Sequence, residues 1–334
     1  MSAADAIAAL LWLALTAYAV LAGADFGGGV MDLLASGPRA GAQRTAVAAA
    51  MGPVWEANHV WLIFLITGLF TAFPRAFGIL GLALYLPFTI ALLGIVLRGA
   101  AFAFRGHSPR ELATPSRWGT LFGSASVIAP FFLGTAAAAV ASGSIQVRRG
   151  QISSGFLAGW ATPYGALIGA FAVSICAYLA ATYLTVENQG RELEADFRRR
   201  ALLAGLGSGV LGLAALALAP LAAPSLAHSL FGRGLPLLLL GLLNGPFALW
   251  AVFALRPRLA RLAVVAQVVL VLWAWGLGQW PDLIPPELSL AAAAAPAATL
   301  TALLVVSGVG ALILLPSLWL LFRVFKSPLI EDRG

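Results

Sequence analysis

Residues 7–31 read IAALLWLALTAYAVLAGADFGGGVM, twenty-five residues with a single charge, Asp25. As a helix rising about 1.5 Å per residue, this stretch is long enough to cross a hydrocarbon core of about 30 Å. It has no polar face of the kind a helix on a soluble core needs. It therefore reads as a membrane-spanning helix. The same pattern recurs along the chain, and spans are predicted at 7–31, 46–72, 77–98, 119–141, 160–184, 201–223, 235–255, 262–280 and 299–322.

The whole composition agrees. The 334 residues are 61% hydrophobic and 10% charged, with a mean hydropathy of +0.94. Average soluble domains carry about 25% charged residues, so charge this sparse cannot coat a soluble globule of this size. The apolar runs are continuous and rich in Ala and Leu, unlike the alternating strands of a membrane β-barrel. The predicted fold class is all-α: a polytopic membrane protein of about nine helices forming a single membrane domain over 1–334. Short loops use up the remainder, and no internal repeat is visible.

The net charge of +7 would suggest nucleic acid in a soluble protein. Here the basic residues lie between apolar runs, so the partner they imply is the lipid bilayer, and no nucleic acid is expected. They alternate between the two sides. Sixteen fall on one side, among them Arg39, Arg44, Arg98, Arg105 and Arg200, and four on the other: Arg75, Arg148, Arg149 and Arg233. Basic residues of short loops stay cytoplasmic, which puts the N-terminus outside and the C-terminus inside. No basic residue precedes Arg39, so the positive region of a signal peptide is not expected at the start. Trp118, Trp160, Trp280 and Trp319 fall near predicted span ends, where interfacial anchoring explains them. The charged stretch 187–200 reads as a helical inner loop whose Glu192, Glu194 and Asp196 pair locally with arginines. The Ala run at 291–298 reads as a short helix at the outer surface.

Acids inside a membrane are costly and are functional candidates by default. Two fall clearly within spans, Asp25 and Glu56; Asp32 sits at the end of the first span, where solvation accounts for it. Glu56 follows the cytoplasmic Arg44 by twelve residues, or roughly 18 Å along a helix, near mid-membrane. Asp25 lies roughly 8 Å in from the cytoplasmic end of its span. The two acids read as a proton path entering from the cytoplasm and stopping inside the membrane. An ion pair or an interhelical hydrogen bond is the bland alternative, with Arg98 placed to neutralise Asp25.

Glu56 belongs to the most polar stretch of any span, Gly52-Pro53-Val54-Trp55-Glu56-Ala57-Asn58-His59-Val60-Trp61. Glu56 and His59 share a helix face, while Asn58 points elsewhere and is placed to bond a neighbouring helix. His59 is the one deep histidine, since His107 and His228 fall in loops. Its expected role is a hydrogen-bonding neighbour of Glu56. Haem ligation is a weaker reading, because one His and the nearby Met51 cannot ligate several haems. No metal and no directly bound cofactor are expected. Gly23-Ala24-Asp25-Phe26-Gly27-Gly28-Gly29 looks like a phosphate loop but lacks the following Lys; in a membrane helix its glycines allow close helix approach. Cys176, the single cysteine, reads as a small core residue.

These runs, together with Phe70-Thr71-Ala72-Phe73-Pro74 and Leu97-Arg98-Gly99-Ala100-Ala101-Phe102-Ala103-Phe104-Arg105, resemble subunit II of the cytochrome bd quinol oxidases, densely over residues 20–110. The Asn-His-Val-Trp version is similar to the cyanide-insensitive branch. The resemblance implies two four-helix bundles plus one peripheral helix in a bacterial or archaeal cell membrane. It implies a heterodimer with subunit I, which carries two b-type haems, a d-type or third b-type haem, and the quinol loop. Oxygen would be reduced there with cytoplasmic protons. This subunit would carry no haem, would support subunit I, and would contribute Asp25 and Glu56 to the proton path, with His59, Asn58 and Arg98 in support. Some members bind a structural quinone here, and a small single-helix third subunit is compatible. The chain departs from the common pattern at Ala22, where many members have a second acid, and at Glu56 and Ala57, where many have Asp and Gly. Two other classes fit the composition alone: a proton-coupled secondary transporter, which would need broken helices at a repeat interface, and a purely structural membrane anchor.

Overall fold

The computed structural model describes residues 2–51, 55–105, 116–148 and 151–325, with the side chains of 55–57, 151, 322, 323 and 325 outside that description. Among the described residues the chain forms thirteen helices. They are α1 (Ala3–Leu33), α2 (Ala40–Met51), α3 (Trp55–Ala72), α4 (Pro74–Ala83), α5 (Tyr85–Arg105), α6 (Arg117–Ala141) and α7 (Pro163–Glu187). The remainder are α8 (Glu194–Ala222), α9 (Pro224–Phe231), α10 (Leu235–Phe253), α11 (Pro257–Gln279), α12 (Leu290–Ala293) and α13 (Ala297–Phe325). Two short antiparallel hairpins close loops: β1 (Val147–Arg148) with β2 (Gln151–Ile152), and β3 (Asp282–Ile284) with β4 (Leu288–Ser289).

Local chemistry sets several helix starts. Ser2 and Asp5 form a reciprocal capping box at α1, with the Asp5 amide donating to Ser2 Oγ at 3.1 Å and the Ser2 amide to the Asp5 carboxylate at 2.9 Å. Ser116 caps α6, and Thr162 caps α7 just before Pro163.

Eight helices (α1, α5, α6, α7, α8, α10, α11 and α13) are long and apolar enough to cross a membrane, and α3 with α4 makes a ninth if that bent pair is one span. The all-α polytopic class and the count of about nine hold. Two predicted positions do not: the span expected at 46–72 falls in two helices, α2 ending at Met51 and α3 starting at Trp55. The span expected at 77–98 is instead α5, Tyr85–Arg105, because residues 74–83 form a separate helix set at 118° to α3. Pro74 causes the break: it has no N–H to continue the α3 ladder, and it starts α4 at a first-turn position. Phe73, fully buried, pins the corner. The later start carries α5 past Arg98 to Arg105, so Arg98 lies within the helix rather than at its end, and Arg105 is its last residue rather than a loop residue.

Helix α1 is central. It packs on α3, α6 and α7; α5 packs on α6, α7 on α8, α10 on α11, and α11 returns to α7. Small residues allow these crossings. A Cβ on Gly27 would overlap the Cys176 carbonyl of α7, and one on Gly29 would overlap Ser126 of α6. The glycine run thus serves close helix approach, and Cys176 is a buried residue at the crossing. Helix α13 touches α1 and α3 and leaves Val306, Leu312 and Ile313 exposed.

Candidate functional site

Asp25 lies on α1 and is 9% exposed. Asn58, in the first turns of α3 and also buried, donates from Nδ2 to Asp25 Oδ2 at 2.5 Å. The sequence places Asn58 toward a neighbouring helix; the structure shows that this neighbour presents the candidate acid itself. His59 stands beside Tyr18, with ring centroids 6.2 Å apart. Tyr18 precedes Asp25 by seven residues, two helical turns, and so shares its face. Glu56 is on the first turn of α3, but its side chain lies outside the described residues.

Arg98 is 1% exposed. Its guanidinium sits between two aromatic rings, 5.1 Å from the centroid of Phe26 on α1 and 5.5 Å from that of Phe122 on α6. The ring faces favour the cation there. From that position Arg98 acts electrostatically on Asp25, Tyr18 and His59. The predicted neighbourhood of Asp25 and Arg98 is therefore present, with the cation within the bundle rather than at its edge.

The expectation that Asp32 is solvated is corrected. It is 3% exposed, and Arg105 grips both of its oxygens, with Nη1 to Oδ2 at 2.9 Å and Nη2 to Oδ1 at 3.0 Å. The cause is the shifted register of α5, which delivers Arg105 to the end of α1.

Asp25 and Asn58 line a cavity of about 80 Å³ between α1, α2, α3 and α7, with Gly28, Met51, Ala180 and Tyr183 among its walls. A space of that size in contact with carboxylate and amide groups has room for several waters.

Beyond the end of α1, a polar clasp ties the α1–α2 turn and α2 to α8. Arg39 Nη2 donates to Asp196 Oδ1 at 2.6 Å, and Gln43 Nε2 to Asp196 Oδ2 at 2.8 Å. Arg200 Nη2 donates to Gln43 Oε1 at 2.7 Å and to the Leu34 carbonyl at 2.9 Å. The Asp196 carboxylate holds the Arg39 guanidinium above its ordinary range. Asp196 was expected to pair within 187–200; its partners instead come from 157 and 153 residues earlier. No sequence signal marked Gln43, an uncharged residue in an otherwise featureless helix. Among the described residues no group of three or more His, Cys, Asp or Glu could hold a metal. A single histidine against a tyrosine ring is not the pair of axial ligands a bound haem commonly takes.

The arrangement is a buried carboxylate with an amide donor, a nearby enclosed cation and an adjoining cavity with room for water. Such a group can take up and release a proton inside a membrane. The class so defined is a polytopic helical membrane protein with ionisable chemistry at depth.

The chain belongs to the family of cytochrome bd terminal oxidase subunit II, whose model matches residues 3–325. It is thus a membrane subunit of an oxidoreductase complex. Over 130 residues it is 35% identical to cytochrome bd ubiquinol oxidase subunit 2 of Bacillus subtilis, a match spanning 37% of each chain. Over 335 aligned positions it is 24% identical to a putative cytochrome bd menaquinol oxidase subunit II of the same organism, covering 96% of this chain and 95% of that one. In fold it matches a chain of the bd oxidase from Geobacillus thermodenitrificans with a TM-score of 0.82, at 22% identity and 100% coverage of both.

Proposed function

We propose that this chain is the non-haem subunit II of a quinol:oxygen oxidoreductase of the cytochrome bd type, in the cell membrane of a bacterium or archaeon. It pairs with a haem-bearing subunit I, where quinol is oxidised and oxygen reduced to water. The haems of that partner supply the redox chemistry. In this chain α1, α3, α5 and α6 form one four-helix bundle and α7, α8, α10 and α11 a second, with α13 peripheral. The bias of basic residues puts the N-terminus outside and the Asp32 end of α1 at the cytoplasm.

The chemical role of the chain is proton delivery. Asp25 holds a proton at a carboxylate oxygen and exchanges it with Glu56, which stands two residues before Asn58 on α3 and so at about the depth of Asp25, not deeper as its spacing from Arg44 suggests. Asn58 fixes the orientation of the Asp25 carboxylate, Arg98 offsets its charge, and His59 supports the region around Glu56. One observation carries this reading: the carboxylate of Asp25 is buried, hydrogen-bonded by Asn58, and open to a cavity large enough for water. A packing acid would have no use for the cavity.

The test uses the purified complex with Glu56→Gln or Asp25→Asn. Oxygen uptake is expected to fall strongly in both while the haem spectra stay intact. Unchanged turnover with intact spectra in either variant removes that residue from the route.

A further inference from the structure

The cavity beside Asp25 is lined on α7 by Ala180, Tyr183 and Glu187, the last residue of that helix. Ala180 and Glu187 are seven residues apart, roughly 10 Å along the axis. Gly28 and Met51 form the opposite wall, where α1 and α2 pack closely: a Cβ on Gly28 would lie 3.0 Å from the Met51 sulfur. Among the described residues Glu187 is the other acid that lines this space. Its side chain is 31% exposed, so the cavity is lined both by a carboxylate that meets water and by buried Asp25.

A second set of contacts holds the exposed end in place. Arg261 of α11 approaches Glu187 Oε1 at 3.6 Å, and its guanidinium lies 4.8 Å from the Tyr183 ring centroid. An ion pair that served only to join α7 and α11 would have no reason to share a cavity with an acid of α1. Charged groups near Glu187 include Arg261 from α11 and, along the same cavity, Asp25 from α1; the described α2 residues of the wall, Val47, Ala50 and Met51, are apolar.

The geometry points to Glu187 as the loading group of the route to Asp25. It takes a proton from water at the rim, forming an O–H bond on its carboxylate. Cavity water then carries that proton to Asp25, and Glu187 returns to its ionised form. One proton moves inward and no electron is transferred. Arg261 is a positioning residue that keeps the carboxylate at the mouth. This inference rests on the proton-path reading of Asp25.

The experiment compares Glu187→Gln, Glu187→Asp, Arg261→Gln and Asp25→Asn in the intact purified complex. Turnover and its solvent deuterium isotope effect are measured, with haem spectra as the check on assembly. Glu187→Gln is expected to slow turnover several-fold and raise the isotope effect. Glu187→Asp should restore most of the rate, and Arg261→Gln, which keeps the acid, should cost less than Glu187→Gln. Wild-type turnover and isotope effect in Glu187→Gln, with Asp25→Asn impaired, overturn the role of Glu187 and leave the path standing. Wild-type behaviour in Asp25→Asn overturns both. A defect as large in Arg261→Gln as in Glu187→Gln without rescue by Asp, or loss of assembly in Glu187→Gln, makes the residue structural and also overturns the assignment.

Discussion

Arg105 and Asp32 form a two-pronged ion pair at 2.9 and 3.0 Å, with side chains only 2% and 3% exposed, joining the C-terminal ends of α5 and α1. A charge left alone there has no water to turn to. Arg105→Gln is expected to destabilise the protein by about 3–5 kcal/mol, the usual result of breaking a buried pair from one side. Asp32→Asn/Arg105→Gln should cost much less than the sum of the single changes. Thermal unfolding of the four proteins in detergent checks the cycle.

Gly27 lies where α1 crosses α7 at the Cys176 carbonyl. Gly27→Ala forces the helices apart and should cost about 1–3 kcal/mol. Gly78 of α4 has open space around its missing side chain. There Gly78→Ala should be neutral or stabilise by about 0.5–1 kcal/mol, because alanine loses less backbone freedom in a helix. Paired unfolding measurements should show a clear loss for Gly27→Ala and none for Gly78→Ala.

Asn58→Leu removes the donor that holds Asp25 at 2.5 Å. Losing a hydrogen bond to a carboxylate costs about 1.5–3 kcal/mol. On the proton-path reading it also lowers oxygen uptake several-fold, because the carboxylate loses its fixed orientation. Turnover of the purified complex, normalised to haem content, measures the second effect separately from the first.

Gln43 and Arg39 both bond Asp196, yet they should differ in weight. Gln43 is 3% exposed and also accepts from Arg200 and the Ser36 amide. Gln43→Leu strands several partners and should cost about 1–3 kcal/mol. Arg39 reaches Asp196 from open solvent, so Arg39→Ala should have little effect, smaller still at high salt. Unfolding at low and high ionic strength checks both.

Much of the architecture was legible in the chain because the bilayer leaves few choices. Any segment that crosses it must be apolar for about 20 residues and must satisfy its own backbone. That rule read α1, α6, α7 and α13 nearly as they stand. It failed at residues 74–83, which are apolar enough to be counted into a span. The turn at Pro74 depends on Phe73 finding a buried corner, a matter of tertiary packing.

The candidate site divides the same way. Asp25 announced itself as a charge among apolar residues, and the glycines around it as a contact surface. Its partner Asn58 and its neighbour Arg98 were visible as polar residues in apolar runs, but what each one touches was not. Glu187 and Arg105 looked like ordinary loop and border charges.

The sequence by itself determined that this is a helical membrane protein, roughly how often it crosses, and which acid in α1 is worth explaining. Only the tertiary structure decided that Asp32 is paired rather than solvated, that Asp196 answers to residues more than 150 positions away, and that Asp25 shares a cavity with Glu187. The reason is physical. Crossing a bilayer is a requirement on each segment separately, and it is written in local composition. Hydrogen bonds, ion pairs and cavities arise between segments, where register and crossing distance decide which side chains meet.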